Sequence, residues 1–428
     1  MTEWRNVKLS DFIRIKHGYA FKGSDFSEDE TPYILVTPGN FEIGGGFKKD
    51  KFKWYAGIIP EDYVLKRDDL IVTMTDLSKN GDSLGYSALV PEMRGKTFLH
   101  NQRIGFIQIK NTEIDKYFLY WLMRTKKYQR SIVNTASGST VKHTSPDRIC
   151  AYTFSLPPLD VQKRIAGILG ALDDRIDVLR RENVVLEQMA QAVFQSWFVD
   201  FDIVRAKAAG TPESEVCEKY HITPELYALF PSALTPDNLP LGWEKKSLPE
   251  IATYLNGLPL QKFPPKNEDE FLPVIKIAEL KARSVVGADK ASTDIDSKYI
   301  IDDGDVIFSW SGSLAVDIWC CGKGALNQHL FKVFSSDYPK WFYYLWTKSY
   351  LFQFQQIAAG KATTMGHIQR AHLEEAKANV PSEKILEVTD KIISPLIEKI
   401  IENSKQIRAL SATRDALLPK LMNGEIEV

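Results

Sequence analysis

The chain has 428 residues, of which 44% are hydrophobic and 25% charged, so it can form packed cores in two or three domains and is not a disordered protein. Its 54 basic and 55 acidic residues nearly cancel, which excludes a uniformly basic protein that coats nucleic acid. The sequence lacks an apolar run of about 18 residues, as a membrane helix needs, and its four cysteines form no C-x-x-C pair; both features favour a cytoplasmic protein without a zinc site.

An internal repeat organises the sequence. Trp4 and Leu9 recur as Trp243 and Leu248. Further pairs follow in the same order: Gly18 with Gly257, Asp69–Thr73 with Asp305–Ser309, Asn101–Gln102 with Asn327–Gln328, Tyr117–Trp121 with Trp341–Leu345, and His143 with His367. Six pairs in one order are difficult to attribute to chance, so we expect two copies of one domain.

The first copy, residues 1–155, predicts an α+β domain. Short β-rich runs at Tyr33–Val36, Leu70–Thr73 and Ile104–Ile109 are separated by Gly and Pro, and a helical aromatic segment follows near residues 115–130. We expect the aromatic residues 117–121, and 341–346 in the second copy, to lie in the core. The 23 basic and 18 acidic residues of this region make phosphate contact plausible.

A long helix is predicted over residues 156–200. Apolar residues recur every three or four positions from Val161 to Trp197, through Ile168, a length of about 55 Å at 1.5 Å per residue. This length favours pairing with another helix over a surface helix lying on its own domain. The positions expected to pair are Leu172, Ile176, Leu179 and Leu186. An excess of acidic residues in 156–240 argues against phosphate contact there.

The rest of the chain repeats this organisation. Residues 201–240 form a connector with one short helix near Pro224–Phe230, residues 241–380 form the second domain, and residues 381–428 form the second long helix. Its expected pairing positions are Leu396, Ile400, Ile407 and Leu410, in a stripe that also contains Ile392. Asn183 and Asn403 are interpreted as polar residues that set the helix register.

Motifs for catalysis are missing. The sequence lacks the Asn/Asp-Pro-Pro-Tyr/Phe motif and the glycine-rich cofactor loop of adenine methyltransferases, and Gly95-Lys96-Thr97 has Val90 where a nucleotide-binding loop needs glycine. The histidines show no metal-binding spacing. We therefore predict a chain with no active site, metal or cofactor of its own.

The order of domain, long helix, connector, domain and long helix resembles the specificity (S) subunit of type I restriction–modification enzymes across nearly the whole chain. Local sequences agree: Ala136–His143 followed by Phe154–Leu159, Phe194–Asp202 at the end of the first helix, and Lys420–Ile426 at the end of the second. The second copy departs in having only Val380–Pro381 where the first has Leu156–Leu159, which leaves the start of its helix open.

The resemblance implies a fold of two tandem α+β target-recognition domains separated by two long antiparallel helices (a coiled coil), related by a pseudo-twofold repeat. It implies a non-catalytic protein that reads a bipartite double-stranded DNA site, one block per domain, with the helices fixing the separation. The implied partners are two methyltransferase subunits and restriction/motor subunits. Alternatives are the specificity subunit of a type II split methyltransferase–nuclease and a tandem-repeat scaffold that does not bind DNA.

Two groups of residues are candidates for DNA contact. In the first, amide and guanidinium groups suit base edges: Asn101, Gln102 and Arg103, with Asn327 and Gln328 as counterparts. Because Asn-Gln occurs in both copies and two half-sites normally differ, a brace for the fold is the favoured interpretation. In the second, small hydroxyls and a lysine suit phosphate oxygens: Ser139, Thr140, Lys142 and His143, with Lys361, Thr363, Thr364 and His367 as counterparts. A solvated or bracing loop is the alternative.

Overall fold

The computed structural model describes residues 4–76, 78, 81–360 and 366–428. The chain forms two compact units: unit 1 comprises Met1–Arg175 and Leu410–Val428, and unit 2 comprises Ile176–Ala409. Each unit contains one copy of the repeat and parts of both long helices. Among the described residues, no helix is both long enough and apolar enough to span a membrane.

The strands of unit 1 are short: β1 (Arg5–Lys8), β2 (Ile13–His17), β3 (Phe26–Ser27), β4 (Tyr33–Val36), β5 (Lys53–Tyr55), β6 (Val64–Leu65), β7 (Leu70–Thr73), β8 (Thr75–Asp76), β9 (Ser87–Leu89), β10 (Thr97–His100), β11 (Ile104–Ile109), β12 (Lys142–His143) and β13 (Thr153–Leu156). They form sheets of order β2–β11–β7–β9 and β3–β5–β4–β10–β6, with the pairs β1–β13 and β8–β12. The three strands predicted from sequence are confirmed as β4, β7 and β11.

The helices of unit 1 follow from local capping signals. Helix α1 (Lys116–Leu122) begins after Asp115, whose carboxylate accepts hydrogen bonds from the backbone N–H groups of Tyr117 and Phe118. Thr125 caps α2 (Lys126–Asn134), and Ser145 caps α3 (Pro146–Cys150). Phe118 and Trp121 are buried in the core, as predicted, whereas Tyr117 is exposed.

Unit 2 repeats this architecture with the strands β14 (Glu244–Ser247), β15 (Thr253–Asn256), β16 (Leu272–Ile275), β17 (Lys290–Ala291), β18 (Ile300–Ile301), β19 (Val306–Ser309), β20 (Ala315–Ile318), β21 (Gly324–Leu326), β22 (Leu330–Phe334) and β23 (Lys377–Val380). The sheets have the orders β15–β22–β19–β20 and β17–β16–β21–β18, with the pair β14–β23.

Strand pairing bears out the repeat. The first strand of each copy pairs antiparallel with the last, as β1 with β13 and β14 with β23. Each copy also has one parallel pair, β4 with β10 and β16 with β21, and one antiparallel trio, β2–β11–β7 and β15–β22–β19. The predicted α+β class with two repeated domains is therefore confirmed.

The long helices are α4 (Leu159–Phe194), which continues as a π-helix over Gln195–Val199, and α13 (Glu383–Met422). Helix α13 runs unbroken through Pro395. Between them, the connector contains three helices rather than the single one predicted: α5 (Asp202–Ala208), α6 (Glu213–Tyr220) and α7 (Pro224–Leu229). The remaining helices of unit 2 are α8 (Leu248–Ile251), α9 (Ile277–Ala282), α10 (Lys340–Ser349), α11 (Leu351–Ala359) and α12 (Arg370–Glu375).

The predicted helix stripes were wrong at one repeated position. Ile168 and Ile392 are 39% and 37% exposed, whereas the neighbouring Leu169 and Ile393 are fully buried. Both errors arise because an α-helix has 3.6 residues per turn, so a run of three- and four-residue steps drifts around the axis. Of the expected pairing positions, Ile176 and Leu179 are buried, and the others are half-buried: Leu172, Leu186, Leu396, Ile400, Ile407 and Leu410.

Within each unit, the segments of the two helices run antiparallel. In unit 2, Asn379 just before α13 donates to Phe198 O at 2.9 Å, and the Asn403 amide donates to Asn183 Oδ1 at 3.0 Å. Asn183 in turn donates to Ser404 Oγ at 3.2 Å. In unit 1, Asp173 of α4 bonds to Arg414 of α13, while Arg164 reaches Val428 O at 2.9 Å. The helices are thus linked by an ion pair in unit 1 and by neutral amides in unit 2, where a more exposed ion pair of Lys399 with Glu182 at 4.0 Å adds to them.

Each domain is anchored to α4 by a cation and a tyrosine. In unit 1, Arg124 is 7% exposed; it donates to Asp173 at 2.8 Å, to Tyr120 Oη at 2.5 Å and to Gly44 O at 3.0 Å. In unit 2, Tyr344 Oη donates to Glu187 Oε1 at 3.0 Å, and Lys348 Nζ bonds to the same oxygen. These contacts fix each domain on the helix segment of its own unit.

Candidate nucleic-acid interface

A tight turn after β10 contains the first group of candidates. Asn101 is 6% exposed, and its Oδ1 accepts the backbone N–H of Arg103 at 3.0 Å. The turn lies against Gly18, where a Cβ would stand 2.0 Å from Asn101 O, so only glycine fits. The Asn101 side chain is committed to the turn, and Gln102 and Arg103 are exposed on it.

The counterpart turn of unit 2 has the same construction. Asn327 is 5% exposed and accepts the backbone N–H of His329 at 3.2 Å, and a Cβ on Gly257 would stand 2.3 Å from Asn327 O. Gln328 is half-buried, and among the described residues no hydrogen-bond partner contacts its buried Oε1. The geometry favours the bracing role for the two asparagines and leaves Gln102, Arg103 and Gln328 as candidates for base contact.

One short segment joins this turn to the second group of candidates. Met74, which follows β7, donates its N–H to Arg103 O at 3.0 Å, and its own carbonyl accepts the N–H of Thr144 at 3.0 Å. The next residues form β8, which pairs with β12, so that Lys142 lies opposite Asp76 and His143 opposite Thr75. The two groups, 36 or more residues apart in the first copy's sequence, therefore lie on either side of residues 74–76.

The loop that ends in His143 is closed on itself. Ser137 and His143 exchange two backbone hydrogen bonds of 2.9 and 2.8 Å, which leaves Ser139 and Thr140 exposed at the tip. His143 is exposed, with Nδ1 3.1 Å from Thr75 Oγ1, and Lys142 is half-buried. Hydroxyls, backbone N–H groups and a lysine at one loop suit the oxygens of a phosphate.

The sequence interpretation missed two residues that shape this loop. Asp76 is 5% exposed and accepts hydrogen bonds from Ser78 N at 2.6 Å, from Ser83 Oγ at 2.8 Å and from Ser83 N. Burial raises the pKa of Asp76, but these bonds outweigh burial and hold the pKa below its usual range. Arg148 donates to Ser137 Oγ at 3.3 Å. An aspartate two residues before a serine is the usual sequence signal of a turn in which the carboxylate accepts the backbone N–H two residues further on, as Asp76 accepts that of Ser78.

The turn, residues 74–76 and the loop together form one edge of unit 1. Unit 2 forms the equivalent edge with different side chains. Trp310 takes the place of Met74: its N–H points to His329 O at 3.4 Å, and its carbonyl accepts Ile368 N at 3.0 Å. Ser311 pairs with His367, as Thr75 pairs with His143. The candidates Lys361, Thr363 and Thr364 lie outside the described residues. Among the described residues, no cluster of His, Cys, Asp and Glu suits a metal ion.

Comparisons with known proteins agree on one family. The sequence model of the type I restriction modification DNA specificity domain matches residues 1–188 and 240–410. The chain is 28% identical to the type I restriction enzyme HindI specificity subunit of Haemophilus influenzae, over 72% of this chain and 77% of that protein. It is 27% identical to the type I restriction enzyme MjaIX specificity subunit of Methanocaldococcus jannaschii, over 77% of this chain and 73% of that protein.

A solved structure supports the fold. The S subunit of a type I restriction–modification system from M. genitalium is similar with a TM-score of 0.55 at 14% identity, over 98% of this chain and 96% of that one. The similarity therefore includes both repeats and both long helices. Because the family match covers well over half of the sequence, the chain belongs to the family of type I restriction–modification DNA specificity proteins.

Proposed function

We propose that the chain is the non-catalytic DNA-recognition subunit of a type I restriction–modification complex, and that each α+β domain reads one block of a bipartite site. The observation that carries this proposal is the edge built twice from repeat-equivalent segments: residues 74–76, 101–103 and 137–143 in unit 1, and residues 310–312, 327–329 and 366–367 in unit 2.

The chemistry of these edges supports two kinds of contact. The loop with Ser139, Thr140 and Lys142 offers hydroxyls and a cation to phosphates, which position a protein without selecting sequence. Gln102 and Arg103 offer the bidentate donors that distinguish purine edges. Since the backbone of the edge is shared but Met74 and Arg103 are replaced by Trp310 and His329, the two blocks are proposed to differ.

Partners supply the chemistry in this proposal. The sequence carries no motif for methyl transfer or nucleotide hydrolysis, so two methyltransferase subunits and restriction/motor subunits are proposed to bind the chain in the cytoplasm. Helix α4 supports a protein-binding role because several of its apolar side chains are 42–56% exposed: Val178, Val184, Val185 and Met189.

Methylation mapping tests the proposal. The chain is co-expressed with its methyltransferase subunits, and modified bases are mapped across the host genome. We expect two short blocks around an unspecified spacer, and exchange of residues 241–380 for those of a relative should change one block only. A single contiguous site, or an exchange that changes both blocks, contradicts the proposal. Methyl transfer by the purified chain alone contradicts the non-catalytic role.

A further inference from the structure

The DNA-facing edge proposed for unit 2 carries histidines in place of permanent charges. The segments that form or flank it contain no Asp, Glu, Lys or Arg: residues 253–261, 306–316, 324–331, 349–360 and 366–369. In these segments, His329 and His367 are the side chains whose charge ordinarily changes between pH 5 and pH 8. Lys361 lies in the intervening stretch outside the described residues.

Unit 1 has fixed cations at the equivalent places. Arg103 corresponds to His329, Lys142 to Gly366, and Lys16, on the strand beside the turn, to Leu255. Since guanidinium and ammonium groups stay charged at every physiological pH, the edge of unit 1 attracts phosphate under all these conditions. The described residues of the unit 2 edge offer phosphate a positive charge only when its imidazoles are protonated.

An indole connects the two histidines. The ring of Trp310 lies 6.0 Å from that of His329 and 6.4 Å from that of His367. Its Nε1 donates to Asn256 Oδ1 at 3.0 Å, which fixes the orientation of the ring. Ser311 Oγ lies 2.9 Å from His329 Nδ1. The Ser311 hydroxyl at Nδ1 leaves Nε2 as the nitrogen of His329 that is available to a ligand.

The charged groups on neighbouring elements are already engaged or lie outside this cluster. Lys332 of β22 pairs with Asp305 at 2.8 Å. On α12, His372 Nδ1 accepts the N–H of Gln369 at 2.9 Å, a bond that protonation at Nδ1 would break, so His372 is not part of the cluster. Arg370 is exposed on the same helix. No described carboxylate belongs to the segments that form the edge.

We propose, on the basis of the DNA-recognition function proposed above, that His329 and His367 bind a DNA phosphate in their protonated forms. Histidine is the side chain that ordinarily gains and loses its charge between pH 5 and pH 8. Contact of the second domain with DNA is therefore weaker at pH 8 than at pH 6, whereas the first domain, with His143 equivalent to His367, keeps the charges of Arg103 and Lys142 at both. A charge-assisted bond to phosphate corresponds to about a tenfold change in affinity.

The experiment uses the complex reconstituted with its methyltransferase subunits and a duplex that contains the mapped target. Dissociation constants are measured at pH 6.0, 7.0 and 8.0 at one ionic strength, for the wild type and for the double variant His329→Gln/His367→Gln. We expect the wild type to lose about tenfold in affinity from pH 6 to pH 8. The double variant should show the weaker affinity already at pH 6, with a smaller pH dependence.

Two further variants separate charge from structure. His329→Arg places at this position the residue that unit 1 has as Arg103, and it should keep at pH 8 more of the affinity seen at pH 6. His221→Asn, at the end of α6, should behave as the wild type. Equal pH dependence of the wild type and the double variant overturns the inference. A complex that does not prefer its target at any pH overturns the recognition function itself.

Discussion

The two recognition domains are copies of one fold, yet they are anchored to the long helices in different ways. Arg124 of unit 1 contacts Asp173, on the helix that follows its domain in the sequence. Its repeat equivalent in unit 2, Lys348, contacts Glu187, on the helix that precedes its domain. Asp173 also bonds to Arg414 of α13, so its carboxylate serves two arginines.

The difference shows which parts of the anchor the repeat retained. Tyr120 and Tyr344 occupy equivalent positions, as do Arg124 and Lys348, but the equivalent of Asp173 is Ile397. A cation beside a tyrosine at the end of a buried helix needs a counter-charge, and α4 provides it in both units, at different positions. Both units thus need a carboxylate beside the cation, but the residue that provides the carboxylate differs.

The largest expected effect concerns the anchor of unit 1. The variant Asp173→Asn leaves Arg124 and Arg414, whose side chains are 6% and 16% exposed, without their common carboxylate. Loss of one partner from a buried ion pair costs about 3–5 kcal/mol. Amide hydrogen exchange should therefore accelerate in unit 1 and not in unit 2. The control is Asp174→Asn, an exposed neighbour; equal exchange in the two variants contradicts the role of the anchor.

The amide pair of Asn183 and Asn403, which links the two long helices in unit 2, is expected to give the next largest effect. The variant Asn183→Leu leaves the buried amide of Asn403 without its acceptor, at a cost of about 1–3 kcal/mol. The double variant Asn183→Leu/Asn403→Leu removes the unpaired group and should recover stability, although the register of the helices becomes less specific. Denaturant unfolding, monitored by amide hydrogen exchange in unit 2, measures the stability of both variants. A double variant no more stable than the single one contradicts this account.

Acid should weaken the anchors of both units, and a variant of the anchoring carboxylate shows whether that group is responsible. Burial raises the pKa of Asp173, but Arg124 and Arg414 outweigh burial and bring the pKa below 3.8; the Lys348 bond similarly brings that of Glu187 below 4.5 despite burial. A lowered pKa stabilises the folded state above the ordinary value, and this stabilisation is lost as the pH falls through the lowered one. Between pH 5 and pH 3, Glu187→Gln should lose less stability than the wild type in unit 2. Equal losses contradict the role of Glu187.

The smallest effect separates the two DNA-facing edges. Lys142 of unit 1 corresponds to Gly366 of unit 2, so the proposed lysine contact with phosphate has no counterpart at this position of unit 2. Lys142→Ala should weaken binding of the assembled complex to target and non-target DNA alike, and should lower the slope of log affinity against log salt by about one. Lys219→Ala, an exposed residue of the connector, is the control. An unchanged slope would mean that the loop braces the fold and does not contact phosphate.

Much of the fold was predictable because its strands and helices follow from local sequence patterns. Strands β4, β7 and β11 are runs rich in β-forming residues, and the aromatic segments are buried as the helices that their pattern predicts. Ile168 and Ile392 were assigned to the buried stripe because step counting does not track the drift of the helix. Nothing in the local sequence distinguishes Asn101, whose side chain is committed to a turn, from Gln102 beside it, because the difference depends on the approach of Gly18.

The sequence by itself determined the internal repeat, the α+β class, the long helices and the absence of catalytic motifs, since periodicity, composition and motif spacing are properties of the chain alone. The tertiary structure decided which distant segments meet. It placed Arg103 and Lys142 on either side of residues 74–76, paired Arg124 with Asp173 and Lys348 with Glu187, and brought His329 and His367 to Trp310. Such contacts depend on how strands and helices pack after they form, and the same side chains at the same spacing permit several packings.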